Sequence, residues 1–160
     1  MIARTLSILS TLYALIGLVG LLLAAVALSV GWQGVVLSPN IQFAWQSVTG
    51  VGLLSTMIYQ WYLLRKRWIG DMTQRHVVIH RWAGVAAVIL FGLHAARLGH
   101  AWMMAITVLF ILIGVTGSLN KEVMRNKTRR AYLTWFAIHI GLSVAIAPLI
   151  AVHVWVALSY

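Results

Sequence analysis

Six histidines, His76, His80, His94, His100, His139 and His153, carry most of the chemistry available to this 160-residue chain. It contains no cysteine, which excludes disulfides, thiolate-held iron–sulfur clusters, covalent haem attachment through CxxCH and thiol nucleophiles. The two acids, Asp71 and Glu122, lie in charged connecting segments. No Ser-His-Asp set, glycine-rich phosphate loop or zinc-hydrolase motif accompanies the histidines. An imidazole without such partners can ligate a metal, pass a proton or hold a packing hydrogen bond. Spacing narrows the choice. His94 follows His80 by fourteen residues, and His153 follows His139 by fourteen. On a helix that interval returns a side chain to within about 40° of its starting azimuth, about 21 Å further along the axis. Each pair would share one helix face, with one histidine towards each end.

Helices are what the rest of the chain supplies. Hydrophobic residues make up 62% and charged residues 9%, with a mean hydropathy of +0.93, against roughly 45–50% apolar and about 25% charged in soluble domains. The chain reads as an all-α integral membrane bundle forming a single domain over residues 1–160. Apolar runs near the ~20 residues that cross hydrocarbon as a helix fall at about 6–30, 44–64, 77–97, 101–119 and 131–158. Five transmembrane helices with short connections leave no room for a domain that binds a nucleotide or flavin. The first run follows Arg4 and passes small residues near Ala25, as a signal peptide does, but it is too long for one and counts as a span.

A formal net charge of +10 would point to nucleic acid in a soluble chain. Here Lys and Arg lie in short connections, so lipid headgroups, not nucleic acid, are the expected counter-charge. Arg4, Arg65, Lys66, Arg67, Arg75, Arg81, Lys121, Arg125, Lys127, Arg129 and Arg130 fall on one face and only Arg97 on the other. That asymmetry puts the N-terminus in the cytoplasm and the C-terminus outside. The eight tryptophans agree, with Trp61, Trp68, Trp82 and Trp135 near inner ends and Trp32, Trp45, Trp102 and Trp155 near outer ends, where aromatic belts form.

With these directions the third and fifth spans run parallel. His80 and His139 share the inner level, and His94 and His153 the outer. Two cross-helix pairs at two depths are what two bis-histidine b-type haems need, each iron taking an imidazole nitrogen from either side. Gly84, Ala87 and Gly141 leave room for a macrocycle or for close helix approach, and Pro148 can bend the fifth span. The competing reading is packing, because a lone intramembrane histidine often holds an interhelical hydrogen bond. A matched quartet favours ligation, since ionisable groups in a bilayer are kept for function.

His76 precedes His80 by one turn and rivals it as the inner ligand. His100 falls in the outer connection, solvated or open to proton transfer. Met103 and Met104 more often pack than ligate. Arg81 and Arg97 stand at the depths of haem propionates, and snorkelling to lipid headgroups would place them there equally. No carboxylate lies within a span, which weighs against a proton pump or cation-coupled transporter.

The segments HRWAGVAAVILFGLH, from His80 to His94, and HIGLSVAIAPLIAVH, from His139 to His153, resemble the ferric reductase-like transmembrane superfamily. That group includes NADPH oxidases, ferric reductases and the haem-binding membrane partner of a bacterial periplasmic methionine sulfoxide reductase. The resemblance covers about residues 76–158. It implies an inner haem held by His80 and His139 and an outer haem held by His94 and His153, with electrons passing from a cytosolic donor or quinol to an outer acceptor. The chain departs from the family in having five spans instead of the usual six and in carrying no flavin and nicotinamide domain after His153. The equal intervals are also similar to those of quinol-oxidising b cytochromes.

The expectation is an electron-transfer cytochrome b subunit with two haem b groups in a bacterial cytoplasmic (inner) membrane. A quinol or redox partner protein, within a larger complex, would supply or take the electrons. Gln74 and His76 on the inner side, or Gln42, Gln46 and His100 on the outer, are where a quinol could dock, and such groups are equally ordinary at interfaces. The rival is a haem-free membrane scaffold or assembly subunit. A metal-ion carrier fits less well, for want of oxygen or sulfur ligands.

Overall fold

The computed structural model describes residues 2–95, 101–119 and 128–159, and among them every regular element is helical. The helices are α1 (Ile2–Val30), α2 (Trp32–Val36), α3 (Pro39–Trp68), α4 (Gln74–His94), α5 (Ala101–Ser118) and α6 (Arg129–Ser159). Four of them hold stretches long and apolar enough to cross a membrane: Leu12–Val30 within α1, and α4, α5 and α6 whole. By length and composition the protein is a multi-pass membrane protein. Its outward apolar side chains, Leu22, Leu23 and Val48 among them, form a surface suited to lipid.

The chain divides into two compact units, Met1–Leu98 and Gly99–Tyr160. In the first, α4 packs on both α1 and α3. Its contacts with α1 rise together in number. Arg81 lies over the Tyr13 ring at 5.1 Å, Val88 meets Gly20, and Gly92 meets Ala24, so the two helices are parallel. Contacts with α3 run the opposite way, from Trp45 at Leu93 through Gly52 at Leu90 to Gln60 at His80. That pair is antiparallel.

The approach of α1 to α4 depends on glycine. A Cβ on Gly92 would meet the Ala24 Cβ at 3.1 Å, and one on Gly20 would meet Val88 Cγ1 at 3.0 Å. Small residues let membrane helices close to backbone contact, where dispersion replaces the missing hydrophobic drive. A small core of Tyr13, Ala14 and Val85, with Trp82 against it, completes the seam.

The helix α3 is the least apolar of the long helices, and it accounts for its polar groups locally. Ser47, Thr49 and Ser55 donate to the carbonyls of Phe43, Trp45 and Val51, four residues back. Hydroxyls satisfied in this way survive in apolar surroundings. At its C-terminus Gly70 takes φ 78°. Gly70 N donates to Arg67 O at 3.2 Å and Asp71 N to Lys66 O at 2.9 Å, the paired bonds of a Schellman ending. The Lys66 ammonium bonds the Asp71 carboxylate across the same turn and holds that carboxyl below the usual carboxylate range. Thr73 then caps α4, so a sharp elbow joins α3 to α4.

Two features differ from the sequence reading. The connection between the first two expected spans, residues 31–43, holds α2, entered through Gly31 at φ 62°, and the first turn of α3. The span expected to run to residue 97 ends as a helix at His94, with Ala95 extended, because side chains of the first unit take the last carbonyls of α4, as set out below.

In the second unit α5 and α6 pack together where Thr116 and Gly117 meet Trp135 and His139. Pro148 lies inside α6 without ending it. Gly92→Val should push α1 from α4 and lower stability by about 1–3 kcal/mol, read as a lower unfolding midpoint in detergent. A midpoint equal to wild type would contradict the close packing.

Candidate functional site

The C-terminal end of α4 is built from donors of α2 and α3. The Trp32 indole donates to Gly92 O at 3.3 Å, Gln33 Nε2 to Leu93 O at 2.7 Å and His94 O at 3.1 Å, and the Trp45 indole to Leu93 O at 2.8 Å. Helix ends leave carbonyls without intrahelical partners, and in an apolar setting each needs a donor. Gln33, at 0% exposure, is held in turn by Gln46 Nε2 on its Oε1 at 2.8 Å. The indoles of Trp32 and Trp45 meet edge to face. His94, the last helical residue, is therefore fixed by its backbone.

Its ring is fixed as well. His94 Nδ1 lies 2.9 Å from Gln46 O, and a carbonyl only accepts, so Nδ1 carries the proton. In a neutral imidazole the lone pair is then on Nε2. The approach is possible because position 50 lacks a side chain. A Cβ there would stand 2.9 Å from His94 Cε1 and 3.1 Å from Nδ1. Gly50 is also the helical partner of the Gln46 carbonyl, so its bareness opens that oxygen from the side.

The second unit repeats the arrangement with different parts. His139 Nδ1 lies 2.9 Å from Thr116 Oγ1, and a Cβ on Gly117 would meet His139 Cε1 at 3.3 Å. The Trp135 ring, one turn before His139, stacks on it at 5.9 Å between centroids and 8° between planes, while its indole N–H donates to Thr116 O. Both histidines thus rest on a glycine of the neighbouring helix and direct Nδ1 to an oxygen.

His76 has the opposite arrangement. Its Nδ1 accepts from Thr73 N at 3.1 Å, and its own backbone N–H donates to Thr73 Oγ1 at 3.4 Å. This is a capping box with histidine in the place of the usual Glu or Gln. A backbone N–H only donates, so the Nδ1 lone pair is engaged and, in the neutral ring, Nε2 carries the proton. That chemistry suits a cap and weakens His76 as a rival to His80.

His80 sits on the N-terminal half of α4, where Gln60 Nε2 donates to its carbonyl at 3.0 Å. The Gln60 amide lies beside Gly84. His153 stands half-buried on α6. Arg81 makes a cation–π contact with Tyr13. Arg97 and His100 lie outside the described residues. Met103 and Met104 fall on α5, Met104 exposed. Of the quartet, His80 and His94 belong to the first unit and His139 and His153 to the second.

Among the described residues no group of three or more His, Cys, Asp or Glu could hold a metal ion. Haem asks less, because the porphyrin supplies the equatorial nitrogens and the protein only the axial ligands. Metal-bound histidines characteristically give their other ring N–H to a carbonyl or similar acceptor. The Nδ1 bonds of His94 and His139 have that form, so the donor chemistry of these two residues fits axial ligation. Gln33, Gly50, Thr116, Gly117 and Trp135 escaped the sequence reading, since their roles depend on which helix faces meet. The visible trace is a polar or small residue interrupting an apolar run.

Comparison with known proteins adds no relative: no protein-family model, no curated protein and no solved structure matches the chain. The resemblance to the ferric reductase-like group stands on the two histidine segments alone.

The two glycine rests differ in tightness. Gly50→Ala, at 2.9 Å from the ring, should displace His94 and cost about 1–3 kcal/mol, while Gly117→Ala, at 3.3 Å, should cost less. Unfolding midpoints of the two variants in detergent check the order, and an equal or reversed order would contradict it.

Proposed function

We propose that the chain is a membrane-embedded bis-histidine dihaem b-type cytochrome, relaying electrons across a bacterial cytoplasmic membrane between a quinol or partner redox protein and an acceptor on the other side. His80 and His139 would hold the inner haem, and His94 and His153 the outer one. Bound haem would supply a one-electron ferric–ferrous couple at each level. The observation that carries the reading is the matched histidine quartet, supported by the Nδ1 bonds of His94 and His139, which leave the ligand lone pair on Nε2. Arg81 and Arg97 are assigned to the propionates at the two levels, where a guanidinium can offset their charge.

The reading needs five spans, and the packing of the first unit supports the fifth. Two parallel helices that both cross a bilayer require the chain to return between them, and α1 and α4 are parallel. Between them only α3, 30 residues and about 45 Å long, has the length to return, and it packs antiparallel along α4. Its lower hydropathy is offset by the internal bonding of its hydroxyls and amides. With the basic residues on the cytoplasmic side, the N-terminus would lie inside and the C-terminus outside.

A second reading draws on the same two hydrogen bonds. An interhelical histidine bond also serves packing, and a haem-free scaffold or assembly subunit would keep both. The two are separated by colour. Purified protein should show a b-type reduced-minus-oxidised spectrum and two haems per chain. His94→Ala or His153→Ala should each leave one, and His76→Ala should leave both while losing about 1 kcal/mol of helix capping. A colourless protein, with His94→Gln tolerated, would establish the scaffold reading.

A further inference from the structure

We infer that Thr116 is a positioning residue for His139, setting its tautomer and, on the dihaem reading, the donor strength of its Nε2. Thr116 Oγ1 lies 2.8 Å from Leu112 O and 3.0 Å from Ile113 O, and 2.9 Å from His139 Nδ1. A hydroxyl has one proton. Were it aimed at Nδ1, the hydroxyl oxygen would face two carbonyl oxygens with no hydrogen between them. With the proton directed back along its own helix, as threonines in helices commonly do, Oγ1 presents a lone pair to the ring. His139 Nδ1 must then donate.

Neighbouring groups hold the ring to that bond. Trp135 stacks on one face of His139 and is itself anchored by its indole N–H on the Thr116 carbonyl, so a single residue of α5 grips both rings of α6. Gly117 gives the edge room, since a Cβ there would press Cε1 at 3.3 Å. In apolar surroundings an imidazole N–H needs an acceptor, and Thr116 Oγ1 offers one to Nδ1, favouring the Nδ1–H form. An N–H that donates to an oxygen makes the opposite nitrogen more basic and a stronger ligand. At His94 the same task falls to a backbone carbonyl, beyond the reach of side-chain substitution. At His139 it falls to a hydroxyl that one mutation removes.

The test uses the full chain in detergent with Thr116→Val, which keeps the shape and drops the hydroxyl, and Thr116→Ser, which restores it. Nitrogen-15 NMR of the haem-free protein reads the tautomer, with the His139 resonance assigned by its loss in His139→Gln. Wild type and T116S should show the proton on Nδ1, and T116V should lose that preference while His94 is unchanged. In the loaded protein T116V should weaken one haem about 10- to 100-fold and raise its potential, leave the other haem unmoved, and be rescued by T116S. A wild-type His139 protonated on Nε2 overturns the inference, even if T116V fails to fold. So does a T116V protein matching wild type in tautomer and haem affinity. Absence of haem from wild type refutes the dihaem reading instead, and the tautomer result then decides the role of Thr116 by itself.

Discussion

A histidine ring placed among apolar helices has to put its N–H on an oxygen, and here that requirement settles which faces meet. His94 reaches the Gln46 carbonyl and His139 the Thr116 hydroxyl. Each bond fixes a contact between neighbouring helices and needs a glycine beside it, Gly50 or Gly117. A ring held this way has a defined tautomer, and with Nδ1 protonated its lone pair is on Nε2. On the proposed haem reading, ligation would then draw on Nε2 and the packing bond on Nδ1. His76 shows the contrast, spending its Nδ1 lone pair on the cap of α4.

The same rule governs the backbone. Membrane helices cannot leave terminal carbonyls bare in hydrocarbon, and α4 ends where Trp32, Gln33 and Trp45 provide donors for Gly92, Leu93 and His94. The short α2 thereby becomes a plug on the first unit. Its Gln33 is fully buried because both ends of its amide are used. The opposite end of the α3–α4 hairpin is made differently, by a glycine-terminated turn and a capping box in a charged segment. One end closes with the buried Gln33 amide and two indoles that keep some exposure, the other with exposed charge.

Much of this architecture was legible in the residues. Apolar runs located the four helices able to span, whereas Arg65, Lys66 and Arg67, expected in a connection from their charge, form the last turn of α3. The sequence reading of α2 as loop failed because a five-residue helix carries no periodicity of its own. The end of α4 at His94 was hidden because the apolar pattern continues to Ala96, and only the donors from distant positions stop it. The histidine spacing was legible. The oxygens that orient the rings were not, because Gln46 contributes a carbonyl that every residue possesses, and Thr116 looks like any threonine bonded back along its own helix. Gly50 and Gly117 could be read as small residues, but not as the floor of a particular ring.

On the proposed function, His80, His94, His139 and His153 hold two low-spin haems. Electron paramagnetic resonance of the oxidised, purified chain, quantified against protein, tests it most directly. Two low-spin ferric signals of bis-imidazole type per chain are expected, with one lost in each of the His94→Ala and His153→Ala variants. A haem-free protein, or a single high-spin haem insensitive to both substitutions, would contradict it.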